Sequence, residues 1–193
     1  MPEVHGRRDD REGPPTYRDP SFSELIANAG GLTPVGPSLR VGDFMSRHGK
    51  MAEELRAIAP QHEYTAIALT EGQLSRTPEG IFTVNADARD LAAVSLSPFD
   101  KGFIRYGIKE FRAEEQPTVL SQINGVLKDS GVLVVADMVA PEGTKDWLNE
   151  HHRQKQRFEH RNIERDGECH IPTQEEWMTL LENAGFEASV DAM

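Results

Sequence analysis

The sequence predicts an α/β protein with a doubly wound, mostly parallel sheet. Two observations carry that prediction. From residue 39 onward, short apolar segments alternate with amphipathic helical ones, the rhythm of a parallel sheet covered by helices on both faces. Within that rhythm, Val132-Leu133-Val134-Val135-Ala136-Asp137 is a continuous apolar run with a polar stop, the mark of a strand buried on both faces.

The elements follow in order. Residues 1–20 are polar and rich in Pro, Arg and Asp, which predicts a mobile arm. Residues 21–29 predict a short helix with Phe22, Leu25 and Ile26 on one face, ended by Gly30 and Gly31. Residues 39–44 predict a strand. Residues 50–59 predict a helix with Met51, Leu55, Ile58 and Ala59 on one face, closed by Pro60. Strands follow over 63–69, 81–84 and 101–106, with at most a short helix over 71–75. Residues 118–128 predict a helix with Val119, Leu120, Ile123, Val126 and Leu127 inward, and 132–137 predict the next strand. Residues 173–184 are the best-marked helix: Thr173 and Glu176 have capping-box spacing, Trp177, Leu180, Leu181 and Ala184 line one face, and Gly185 stands at the stop. A last strand is expected over 186–192. In such sheets ligands bind beyond the carboxyl ends of the strands, near the point where strand order reverses.

Composition narrows the function. At 193 residues a single domain over 21–193 is expected, with a helical cover insert at about 141–171. Apolar residues make up 37% of the chain, enough for a core. The net charge is −11, from 32 acidic and 21 basic residues, which argues against nucleic acid as a partner. No apolar run approaches the ~18 residues of a membrane span, and the first ten residues lack the apolar core of a secretory signal. The single cysteine, Cys169, excludes an internal disulfide and a multi-cysteine zinc site. A cytoplasmic location is expected.

Five segments in order resemble the class I S-adenosylmethionine-dependent methyltransferases. They are Val41-Gly42 with Ala52-Glu53-Glu54-Leu55, residues 64–74, residues 85–91, residues 99–107, and residues 120–137. The resemblance spans about residues 38–190 and implies a Rossmann-like fold, shortened at the C-terminus. In that fold the sheet closes with an antiparallel strand pair. Only one strand of the pair is expected here, so a second polypeptide, a copy of this chain or another protein, is expected to cover the open edge.

The family's cofactor motifs are degraded. Its loop carries GxGxG, where glycine lets the backbone approach the cofactor. Gly42 and Gly49 match the outer glycines, but the segment between them, residues 43–48, is about three residues too long. It brings in Phe44, Met45, Arg47 and His48. The acid that binds both ribose hydroxyls in the family is replaced by Ala68. Asp87 matches the acid that faces the adenine amino group. Loss of a two-point contact to a diol costs about 2–4 kcal/mol. With an occluded loop added, that is roughly a thousandfold in affinity or more. The expectation is that S-adenosylmethionine is not used, and no other cofactor is implied.

The residues that could carry chemistry follow the strands. Arg105 and Tyr106, with Lys109 and Glu110, follow the fourth strand, where the resemblance implies part of a substrate pocket. The alternative is solvated turn residues and a packing tyrosine. Asp43 fits a general base or a residue that caps the next helix. Arg47 and His48 share its loop, as substrate-binding groups or as remnants. Asp137 ends the fifth strand, as an acid or a turn former, and Glu142 fits a turn. The insert is histidine-rich (His151, His152, His160 and His170, with Cys169), yet has no His-x-x-x-His pair. No metal site is expected; His151 or His160 reaching substrate is possible. Trp147 and Trp177 are expected to pack.

Three functions stay open. The favoured one is a methyltransferase-fold protein repurposed for a biosynthetic cyclisation, elimination or isomerisation on a small molecule, with Asp43, Arg105, Tyr106 and Asp137 as its chemistry. The others are a non-catalytic subunit of an active enzyme and a divergent small-molecule methyltransferase.

Overall fold

The computed structural model describes residues 20–159 and 170–189. The expected arm over 1–20, apart from Pro20, lies outside them, as do His160 and Cys169. Five strands form one sheet: β1 (Arg40–Phe44), β2 (Glu63–Ala68), β3 (Phe82–Asn85), β4 (Phe99–Arg105) and β5 (Leu127–Ala136). Their order is β3-β2-β1-β4-β5, and every pair is parallel. The helices are α1 (Phe22–Ala29), α2 (Lys50–Ile58), α3 (Glu71–Leu74), α4 (Gln116–Gly125), α5 (Lys145–Glu159) and α6 (Gln174–Asn183). Order reverses between β1 and β4, so the switch point lies at their carboxyl ends.

The period of two along each strand divides the core into two layers. Val41, Tyr64, Ala66 and Phe103 face α1 and α2, where Ile26, Met51 and Leu55 complete one layer. Phe44, Ile67 and Ile104 point the other way, onto Leu120 and Ile123 of α4 and Trp177 of α6. The Phe44 ring folds back over Gly42 and Gly102, which are paired across β1 and β4. A Cβ on Gly102 would stand 2.9 Å from that ring, and one on Gly42 would stand 3.0 Å from it. Gly42 therefore lies within the strand and makes room for an aromatic ring.

Local signals set the helix starts. Ser21 with Glu24, and Thr173 with Glu176, form reciprocal capping boxes on α1 and α6. The Trp177 indole donates to the Met138 carbonyl at 3.0 Å, tying α6 to the exit of β5.

Four expectations are corrected. The run at 132–137 belongs to a longer strand at the sheet edge and is only partly buried; Val132 is 36% exposed. A continuous apolar run cannot tell a central strand from an edge strand. Helix α4 stops at Gly125, and Leu127 opens β5. No strand forms over residues 186–189, and 190–192 lie outside the described residues. Gly185, at φ 90°, turns the chain back so that Phe186 donates to the Leu181 carbonyl at 3.0 Å and packs on the core. Among the described residues the sheet is parallel throughout. Trp147 does not pack into the core: it is 67% exposed and stacks on His151, ring centroids 5.2 Å apart.

Among the described residues no helix is long and apolar enough to cross a membrane.

Candidate functional site

The exit of β1 is built around Asp43. Its side chain is buried, and one carboxylate oxygen accepts from the Ser46 hydroxyl at 2.6 Å and from the Ala52 amide at 3.1 Å. Ser46 Oγ in turn accepts from the Gly49 amide at 3.1 Å. Asp43 thus clamps the loop to the first turn of α2. Burial pushes its pKa up to about 6, against the opposing pull of the Ser46 and Ala52 hydrogen bonds and of Arg105. The loop has left-handed backbone at Met45 (φ 57°) and, after Ser46 and Arg47, at His48 (φ 61°) and Gly49 (φ 65°). Only at Gly49 is the turn free of a Cβ, and a Cβ there would stand 2.6 Å from Thr77.

The same loop fills the switch-point crevice. The Met45 side chain lies across it against Gly107, beyond the end of β4; a Cβ on Gly107 would meet Met45 Sδ and Cε at 3.0 Å. Beside the crevice, β2 ends at Ala68, buried and with no acceptor side chain. Asp87, beyond β3, holds the Arg89 guanidinium through both carboxylate oxygens, at 2.6–3.2 Å, and Arg89 reaches Glu115 at 2.8 Å. The exits of β1, β2 and β3 thus carry a methionine packed against Gly107, a buried alanine and an ion-paired aspartate.

Outside the plug lies an open groove of about 490 Å³, lined by Arg47, His48, Lys50, Glu53, Arg76, Pro78 and Arg105. Arg105 closes one end and pairs with Glu54 at 2.8 Å. Glu54 also accepts from the Ser23 hydroxyl at 2.6 Å. Burial works to raise Glu54, but Ser23 and Arg105 outweigh it and hold the carboxyl below its ordinary range. His48 Nδ1 is buried without a hydrogen-bond partner among the described residues.

The β4 and β5 exits form a second cluster. Asp137 accepts from the amides of Ile108 (2.9 Å), Lys109 (3.3 Å) and Met138 (2.8 Å). Burial raises its pKa, with those amides and Lys109 pulling the other way. Lys109 is buried, and its ammonium donates to the Tyr106 carbonyl at 3.1 Å and to Glu110 at 2.5 Å. Tyr106, at φ 56° and half exposed, stacks on Phe22 with ring centroids 6.2 Å apart.

The expected site residues therefore divide. Arg47, His48 and Arg105 share the groove, with Asp43 behind their loop. Tyr106, Lys109 and Asp137 form the separate stitch between β4 and β5. His151 stacks on Trp147 and does not line the groove. Glu142 is exposed in a turn. Among the described residues no group of three His, Cys, Asp or Glu side chains is placed to hold a metal ion. Sequence reasoning missed Arg76 and Lys50 as groove residues. Arg76 follows a short helix at the carboxyl end of β2, a ligand-facing place in this topology, and that was the available signal.

No protein-family model matches the chain, and no curated protein sequence matches it. Solved structures do. An O-methyltransferase family protein from Burkholderia thailandensis matches with TM-score 0.70 at 13% identity, over 88% of this chain and 52% of that one. The [4+2]-cyclase SpnF matches with TM-score 0.63 at 19% identity, over 86% and 56%. YcgJ from Bacillus subtilis matches with TM-score 0.62 at 17% identity, over 83% and 65%. This chain therefore spans between about half and two-thirds of their lengths. PigF, solved with SAH (17% identity), and a Haloferax volcanii complex containing the Trm112 methyltransferase activator (16% identity) share the fold too. Sheet order, crossover pattern and these likenesses agree: the chain has the Rossmann-like fold of the class I methyltransferases.

Proposed function

We propose that this chain is a methyltransferase-fold protein that does not use S-adenosylmethionine and carries out an acid/base step on a small molecule in the groove beside the plugged crevice. The observation that carries the reading is Met45 lying against Gly107 across the switch point. A cofactor there would have to displace a side chain packed on both strand exits. It would then meet Ala68 in place of a ribose acceptor, and an Asp87 whose oxygens already hold Arg89. The residues present do not fit that cofactor.

Cyclisation, elimination and isomerisation need a proton acceptor, a group that steadies developing negative charge, and a shaped surface. His48 supplies an imidazole on the groove wall and Arg105 a fixed guanidinium. Asp43 positions the loop that carries His48 and the start of α2. The [4+2]-cyclase SpnF has the same fold and is named for a reaction other than methyl transfer, a likeness of fold alone. Calorimetric titration with S-adenosylhomocysteine tests it. No heat of binding up to millimolar ligand is expected; micromolar binding overturns the reading and restores a divergent methyltransferase.

A second reading, a subunit that works with another chain, draws on the β5 edge. There residues 132–135 are partly exposed and β4 is the only neighbour of β5 among the described residues. Size-exclusion chromatography with light scattering bears on it, and a stable monomer counts against it. A cytoplasmic location belongs with these proposals.

A further inference from the structure

We propose that the groove binds a small polyanion, a molecule carrying two or more negative charges on phosphate or carboxylate oxygens. The proposal rests on the preceding reading, because it names the substrate class of the same groove. Seven residues line it, and four of them are Arg or Lys. With 21 basic residues in 193, seven average positions carry fewer than one. A surface twice as rich carries fewer than two. The chain as a whole bears −11, so its general field repels anions, and attraction needs local concentration of cations of this kind.

The charge in the groove is only partly spent internally. Glu54 pairs with Arg105 at 2.8 Å and lies 3.6 Å from Lys50; Glu53 lies 3.5 Å from Lys50. The Arg47 and Arg76 side chains have no hydrogen-bond or ion-pair partner among the described residues. Their guanidinium forks match phosphate and carboxylate oxygens in two-point contacts.

The walls are also fixed relative to one another. Arg47 and Lys50 come from the β1–α2 loop, and Arg76 comes from the segment after α3. Those two segments meet where Gly49 packs against Thr77, and the His48 amide donates to the Gln73 carbonyl at 2.7 Å. A ligand thus finds its cations already placed and loses little free energy in ordering them. A volume of about 490 Å³ suits a metabolite-sized molecule. The Met45 plug keeps such a ligand out of the fold's usual crevice and leaves it on this face.

Calorimetry on the intact chain with pyrophosphate, with citrate and with S-adenosylhomocysteine, each separately, tests the proposal. Pyrophosphate or citrate is expected to bind with Kd below about 1 mM at low salt. Arg47→Ala and Arg76→Ala should each weaken binding about tenfold, and the double variant about a hundredfold. Both side chains are exposed, so the fold is expected to survive, which circular dichroism checks. Lys128→Ala removes a positive charge outside the groove and should leave affinity unchanged. Tighter pyrophosphate binding assigns a phosphate ester; tighter citrate binding assigns a polycarboxylate; both support the site. Absence of binding to either anion, or arginine variants that bind like the wild type, overturns it. Binding of S-adenosylhomocysteine overturns the preceding reading instead, so the two failures are separable.

Discussion

Asp43, next to the end of β1, and Asp137, just past β5, stand at the carboxyl ends of two strands with β4 between them, and burial raises the pKa of both. They are held differently. Asp137 accepts three backbone amides, two of them from the turn after β4. Asp43 accepts one backbone amide and one hydroxyl. The first is a stitch: its donors are main-chain groups that must be satisfied in any functional state. The second is a clamp on a loop whose own side chains line the groove. The comparison teaches that two acids alike in burial and in the direction of their pKa shift can be held for different structural ends, which their donors distinguish.

The largest expected effect breaks the stitch. Asp137→Ala leaves the amides of Ile108, Lys109 and Met138 without their acceptor. Each orphaned donor costs about 1–3 kcal/mol, reduced where water enters, so a loss of about 4 kcal/mol is expected in urea unfolding. A loss below about 1 kcal/mol would mean that Asp137 is held for another reason.

The next prediction sharpens the clamp through its pH dependence. In the unfolded chain Asp43 ionises near 3.8 and in the folded chain near 6. Between those values the folded state holds a proton that the unfolded state has released. Wild-type stability therefore rises as pH falls from 6 toward 3.8, and above 6 the full cost of the buried charge is present. A shift of about two units corresponds to about 3 kcal/mol. Asp43→Asn has no such titration. From pH 7 to pH 4 the wild type should gain about 3 kcal/mol relative to the variant, read from paired urea unfolding curves. A constant difference would place Asp43 in a wetter setting than its burial implies.

The stitch and the clamp were unequally legible in the sequence. Alternation of strands and helices, the capping box at Thr173 and Glu176, and the amphipathic faces of α2 and α6 could be read directly, because they depend on residues three or four apart. Asp43 with Ser46, also three apart, is of that kind. The rest was not local. Arg105 meets Glu54 across 51 positions, and nothing in either segment marks the partner. Gly42 also makes room for the Phe44 ring and pairs with Gly102, a contact that no local pattern marks. Arg76 joined Arg47 only when two loops met at Gly49 and Thr77.

The third prediction probes the plug beside the clamp. Gly107 has φ −100°, so alanine is free of backbone strain there, and any cost comes from its Cβ meeting Met45 at about 3.0 Å. Met45 is flexible and can shift. Gly107→Ala should therefore lose only about 1–2 kcal/mol. Met45→Ala should lose a similar amount, but the double variant should be more stable than the sum of the two losses implies, with a coupling of about 1 kcal/mol. Additive losses would show that Met45 and Gly107 do not share the crevice.

The smallest expected effect concerns Tyr106, which lies on the stitch side. Its ring stacks on Phe22 at the surface, and its backbone sits at φ 56°. An exposed aromatic pair contributes about 0.5–1 kcal/mol. Phe22→Ala should cost that much in thermal unfolding. Tyr106→Phe keeps the stack and loses only the hydroxyl, for which no hydrogen bond is recorded among the described residues; it should change stability by less than about 0.5 kcal/mol. If Tyr106→Phe instead abolishes formation of the pathway product while stability holds, the hydroxyl acts in the reaction. The chemistry would then span both strand exits, and the division between clamp and stitch would no longer mark the boundary of the site.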